Sequence, residues 1–248
     1  MHTSRSSAPR RGLIMALVAA CAIFAALGTW QLARRSWKLA LIERVQQRVH
    51  APPQDAPPRE RWADLQPAQE EYRHVRVHGH WLAVRPALVQ AVTALGPGYW
   101  ALVPLRQDDG GIVLINRGYV AAAADAPPPA PGADVTVTGL LRISEPRGAF
   151  LRANDPQADR WYSRDVAAIA AARGLAGVAP FFVDADAASG PPGAAAAAGP
   201  IGGQTVIAFA NNHLVYALTW YGLALLTIVM GAGVRPRAGR GPAQDTAP

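Results

Sequence analysis

Two apolar runs, one near each end of the chain, frame a middle segment in which apolar and polar positions alternate. Residues 12–33 form 22 positions without a charge, bounded by Arg10-Arg11 and Arg34-Arg35. Residues 214–234 form 21 more, followed by Arg235, Arg237 and Arg240. About 20 such residues cross the hydrocarbon core of a bilayer as a helix. The first run is too long for a signal-peptide core and ends in Gly28-Thr29-Trp30-Gln31, with no small-residue cleavage site. Both runs are therefore read as transmembrane helices. Beyond the first, Leu39, Leu41, Ile42, Val45 and Val49 recur at near-helical spacing and predict that the helix continues to Val49. The prolines at 52, 53, 57 and 58 then predict a linker.

Strands dominate the middle. Residues 72–82 alternate, with Val75, Val77 and Trp81 on one face and Arg76, His78 and His80 on the other. Apolar runs at 87–92, 99–105, 111–120, 135–143, 180–184 and 204–208 predict further strands, and Asp108-Asp109-Gly110-Gly111 predicts a hairpin turn. One helix interrupts them, with Ser163 as its expected cap, Asp165 in its first turn and Gly174 at its end. Stretches 121–133 and 187–203 are rich in Ala, Pro and Gly and read as loops. The expected fold is α+β: two transmembrane helices flanking a small antiparallel β-barrel or sandwich with one or two helices.

Charge sets the orientation. The net charge is +7, but the basic residues are spread along the chain and cluster only beside the apolar runs. No basic helix carries interleaved aromatics, which argues against a nucleic-acid partner. Both flanks of the first span are basic and do not discriminate. No Lys or Arg lies between Arg173 and Arg235, so the positive-inside rule places the C-terminus in the cytoplasm. The expected layout is a cytoplasmic N-terminus (1–11), a first span (12–33), a periplasmic β-rich domain (34–213), a second span (214–234) and a cytoplasmic tail (235–248), in a bacterial inner membrane. The single cysteine, Cys21, excludes a disulfide framework and any C-x-x-C site. The apolar run continues past it, which suits a span better than a lipidated terminus.

Catalytic motifs are missing: no G-x-S-x-G, P-loop, G-x-G-x-x-G or H-E-x-x-H occurs. The chain is expected not to be an enzyme. His74, His78 and His80 share a strand face, which makes them the metal candidate outside the membrane, but the alternation also explains them as a solvent face. Asp184 and Asp186 read as structural or turn residues. The predicted topology brings the end of the first span and the start of the second to one membrane face. Trp30, Gln31, Arg34, Trp37 and Lys38 then share a level with Asn211, Asn212 and His213. At helical spacing His213, Tyr216 and Trp220 line one face. An interfacial aromatic belt accounts for Tyr216 but less well for Trp220, about 10 Å deeper. The alternative is a flat amphiphile such as haem. His213 would then be an axial ligand, Asn211 or Asn212 would hold its other ring nitrogen, Trp30 would close the cleft, and the basic residues would meet carboxylates.

Leu27-Gly28-Thr29-Trp30-Gln31-Leu32-Ala33-Arg34, Ile115-Asn116-Arg117-Gly118-Tyr119-Val120, Asn154-Asp155-Pro156 with Trp161-Tyr162, and Asn211-Asn212-His213-Leu214 with Tyr216 and Thr219-Trp220-Tyr221-Gly222 resemble, in order, the motifs of the Surfeit locus protein 1 family. The resemblance implies a membrane assembly factor for haem-copper cytochrome c oxidase, binding haem a and assisting its insertion into subunit I. It implies His213 as ligand of the haem iron, with Tyr216, Trp220, Trp30, Gln31 and Arg34 around the cofactor. Subunit I, haem a synthase and membrane lipid are the implied partners. Tyr119 stands where Trp is common in the family pattern, and Val215 where Gln is usual, which removes one hydrogen-bonding group near a haem edge. The competing expectation is a scaffold that holds subunit I without ligating haem.

Overall fold

The computed structural model describes residues 8–146, 152–187, 199–205 and 211–234. They form two compact units, a helix pair and a β domain.

Seven strands build the β domain: β1 (Gln54–Asp55), β2 (His74–Trp81), β3 (Ala87–Thr93), β4 (Gly96–Arg106), β5 (Ile112–Val120), β6 (Asp134–Ile143) and β7 (Val178–Ala185). Their order is β1-β2-β6-β7-β5-β4-β3, and β2 also pairs with β4. That extra pairing joins β2, β6, β7, β5 and β4 into a closed ring, so the domain is barrel-like. It rests on two residue pairs, His80↔Arg106 and Trp81↔Leu105. Gly79 makes the approach possible: a Cβ there would lie 2.0 Å from the Arg106 carbonyl oxygen. The ring is not wholly antiparallel as expected, because β5 and β7 run parallel. A parallel pair needs a crossover connection, and the chain between β5 and β7 supplies it with β6 and a helix.

Alternation decides which residues fill the ring. Val75, Val77 and Trp81 of β2, Val103 and Leu105 of β4, Val113 and Ile115 of β5, Val137 and Leu141 of β6, and Phe181 and Val183 of β7 form one buried cluster. Residues of opposite parity, Leu102, Leu114 and Phe182, join a second cluster with Trp161, Val166 and Ile169. The last two belong to the helix Val166–Ala172. Its cap differs from the expectation. Asp165 accepts from the Ala168 amide at 3.1 Å, whereas Ser163 is buried and its hydroxyl receives a hydrogen bond from Asn154. Gly174 ends the helix with φ +62°, as its position predicts.

The proline-rich stretch after Val49 is stitched to the barrel and is not a free linker. β1 pairs in parallel with β2, Ala56 is buried in the barrel cluster, and Trp62 meets the Phe181 ring edge-on at 6.2 Å. The prolines hold this segment extended, which lets it lie along a sheet edge. Residues 121–133 include a short 3-10 turn at Ala123–Asp125 and the buried Ala126. Most of the expected loop 187–203 lies outside the described residues, as do positions 206–208 of the last expected strand. Gln204 and Thr205 are not in a strand.

The helix pair comprises a long helix, Ala8–Val49, and a second, His213–Val234. The first has 42 residues, hence a length of about 63 Å, roughly twice the hydrocarbon core. Both helices are long and apolar enough to cross a membrane. They run antiparallel: the Leu17 side chain lies against Gly231, Phe24 against Trp220 and Gln31 against His213. Small residues make the approach. Gly28 faces the Tyr221 ring, where a Cβ would sit 2.9 Å from ring carbons, and Ala217, Ala224 and Thr227 of the second helix are buried. Such close packing holds helices together in lipid, where apolar burial gives no advantage over the acyl chains.

Candidate functional site

Position 213 opens the second helix, and 213, 217, 220, 224 and 227 follow at steps of four and three. That stripe is the packing face. It includes His213 and Trp220 but not Tyr216, which lies about 60° to one side and is 55% exposed. On the first helix Gln31 and Phe24, seven apart, lie on the matching stripe. Arg34 is turned about 60° and Trp30 about 100° away from Gln31, to the same side. Because the helices are antiparallel, this side of the first helix adjoins the Tyr216 side of the second. Trp30, Arg34 and Tyr216 thus share one flank, and Gly28 and Tyr221 mark the other.

His213 is half-buried. Its Nδ1 lies 2.8 Å from Gln31 Oε1, across the helix pair. The expected holder of this ring was Asn211 or Asn212. Instead, Asn211 Oδ1 is buried without a hydrogen-bond partner among the described residues, and the Asn212 carbonyl accepts from the Tyr216 amide at 3.2 Å. Two turns below, Trp220 stacks on Phe24 with centroids 5.8 Å apart and planes 24° from parallel. Trp30 is 58% exposed and stands on the flank rather than across a cleft from His213. The Arg34 guanidinium lies 4.2 Å from the Trp37 ring centroid. On the opposite flank the Thr29 and Tyr221 hydroxyls are 3.1 Å apart.

The residues that could hold a planar ligand here are His213, with one ring nitrogen left over from the Gln31 contact, the exposed faces of Trp30 and Tyr216, and Arg34 on the same flank. Sequence reasoning missed Phe24. The seven-residue spacing from Gln31 would have marked it as a stripe neighbour.

The β domain has a polar centre of another kind. Asp184, 5% exposed, receives Asn116 Nδ2 at 2.7 Å, Arg142 Nη1 at 3.1 Å, Arg164 Nη1 at 3.2 Å and Thr205 Oγ1 at 2.9 Å. Glu145 binds Arg164 at 2.5 Å. Burial alone would lower the Arg164 pKa, but Asp184 and Glu145 outweigh it and hold it above its ordinary value. This is a structural node that ties β5, β6 and β7 together. Its sequence signal was faint: charged residues inside otherwise apolar strands. Asn116 belongs to it, and another resemblance motif also serves the fold. Asn154 accepts from the amides of Tyr162 and Ser163, and Trp161 is core.

The strand-face histidines pair separately. His74 Nε2 meets Asp186 at 2.8 Å and its Nδ1 meets the Ala51 carbonyl at 2.8 Å. His78 faces Asp108 and Asp134 at 3.2 and 3.4 Å. Among the described residues no three His, Cys, Asp or Glu side chains are grouped to hold a metal ion.

The profile of the SURF1 family matches residues 18–225. The chain belongs to the SURF1 family. Surfeit locus protein 1 of Mus musculus is 35% identical over 81% of this chain and 68% of its own, and that of Homo sapiens 34% identical over 81% and 70%. A SURF1-like protein of Monosiga brevicollis is 34% identical over 96% of this chain and 95% of its own. SURF1 proteins are known as cytochrome c oxidase assembly factors, which points to a non-enzymatic role. The family match spans the whole barrel and both helices through the Gln31–His213 level.

Proposed function

We propose that this chain is a two-span inner-membrane factor that binds haem a through His213 and assists its insertion into subunit I of cytochrome c oxidase. Both termini face the cytoplasm and the β domain the periplasm, a reading carried by the arginines after the second span. The observation that carries the haem reading is the Gln31–His213 contact beside an open aromatic flank. Trp30 and Tyr216 supply apolar faces for a porphyrin lying against that flank, Arg34 supplies charge for its carboxylates, and Trp220 forms the floor with Phe24. Haem a, when bound, contributes the redox iron that the oxidase requires; the chain's residues hold and orient it. Replacing His213 by Ala is expected to abolish haem a co-purification, read as a pyridine haemochrome spectrum, and to reduce oxidase activity in cells. Undiminished haem a in the variant would refute ligation by His213.

One observation favours a second reading, a scaffold for subunit I that does not ligate haem. Trp220 already has a ring partner in Phe24, so the seam is satisfied without a ligand. Under that reading the purified protein captures subunit I, its visible spectrum shows no haem, and H213A leaves both unchanged.

A further inference from the structure

Gln31 and His213 come from different spans, 182 positions apart, and meet at 2.8 Å. The atom that Gln31 presents is its carbonyl oxygen, which can only accept. The imidazole Nδ1 must therefore donate and carry the hydrogen. In a neutral ring this leaves the lone pair on Nε2. A histidine without such a partner exchanges between tautomers, and only one presents its lone pair at Nε2. An amide also does this without placing a charge at the hydrocarbon boundary, where charge is costly.

We propose that Gln31 is a positioning residue: it fixes His213 as the Nδ1–H tautomer and so makes Nε2 the nitrogen offered to a haem iron. The proposal rests on the reading of His213 as ligand. It makes ligand competence a property of the assembled helix pair, since neither span alone fixes the tautomer.

The test uses the full chain in lipid nanodiscs, with ¹⁵N-labelled histidine and His213 assigned by comparison with H213A. Spectra are recorded without haem, at a pH where the ring is neutral. The parent is expected to show hydrogen on Nδ1. Gln31→Leu should lose this preference, and Gln31→Glu, which keeps an acceptor in place, should retain it. Titration with haem a, followed by its absorption bands, should then show affinity about 10–100-fold lower for Q31L than for the parent, with Q31E above Q31L. A parent ring protonated at Nε2, or a Q31L variant with unchanged tautomer and affinity, would overturn the proposal. If H213A loses haem a while Q31L keeps parental affinity, the ligand reading survives and only the role of Gln31 fails. If H213A binds as tightly as the parent, the ligand reading fails and the positioning role with it, whatever the tautomer.

Discussion

Inside the barrel, Val75, Val103, Ile115, Phe181 and Val183 expose none of their surface; on the second helix of the pair, Leu218, Leu225 and Val229 expose 64%, 61% and 60%. The first arrangement is what water enforces, with apolar side chains withdrawn and charges at the centre tolerated only when fully paired. The second is the arrangement expected of helices long and apolar enough to cross a membrane, with apolar side chains turned outward. There the inward residues mix small side chains such as Gly28, Ala217 and Ala224 with the stacked Phe24 and Trp220, and contact geometry holds the pair. Each unit is vulnerable at a different point. The barrel fails when its interior loses volume or charge balance. The pair fails when its backbones are pushed apart.

The largest expected effect is at the barrel's polar centre. Asp184→Ala leaves Arg142 and Arg164 buried without their shared carboxylate, at a cost of about 3–5 kcal/mol. Urea or thermal unfolding of the full chain in detergent, followed by the β signal in circular dichroism, measures it. A loss under about 1 kcal/mol would show that Glu145 and solvent compensate, and the contrast between the units would weaken.

The helix pair predicts a smaller change. Gly28→Leu pushes against the Tyr221 ring, which can swing aside, so association should weaken by about 1–2 kcal/mol. With Leu17 and Gly231 replaced by Cys in a Cys21→Ser background, a short bismaleimide should cross-link the parent pair and the Gly28→Leu variant less. Equal yields would show that packing at Gly28 does not hold the pair together.

The smallest effect is at the barrel surface. Burial by itself lowers the His74 pKa, but the Ala51 carbonyl and Asp186 outweigh it and raise it above 6.5. A raised folded-state pKa means the clamp stabilises the fold fully below pH 6.5 and is lost as pH rises through the folded value. The barrel's stability should therefore fall as pH rises past 6.5, by less than about 1 kcal/mol. His74→Gln should flatten that portion of the profile. An identical slope in the variant would assign the pH dependence to other groups.

Legibility in the sequence followed the range of the interaction. The alternation of β2 and the hairpin before β5 needed only neighbouring residues, and both lie where the pattern placed them. The helix was expected to continue past the first span to Val49, and it does. Ring closure was not legible because it depends on two residue pairs and a glycine. The β5–β7 pairing was missed because no local pattern distinguishes a parallel from an antiparallel neighbour in a buried strand. At the helix pair, topology set Gln31 and His213 at one level, but the axial rotation of each helix decided which atoms met. That rotation moved Tyr216 off the stripe, since steps of three and four both suit a helix and only packing selects between them.

The Gln31–His213 contact also bears on when the candidate site comes into being. Its two halves are 182 residues apart in order of synthesis. At roughly 5–20 residues per second, His213 is made about 10–40 s after Gln31. Throughout that interval the ribosome-bound chain has one half of the site and lacks its imidazole. The contact is thus among the last features to form, after the strands of the barrel have been synthesised, and a chain truncated before residue 213 lacks it.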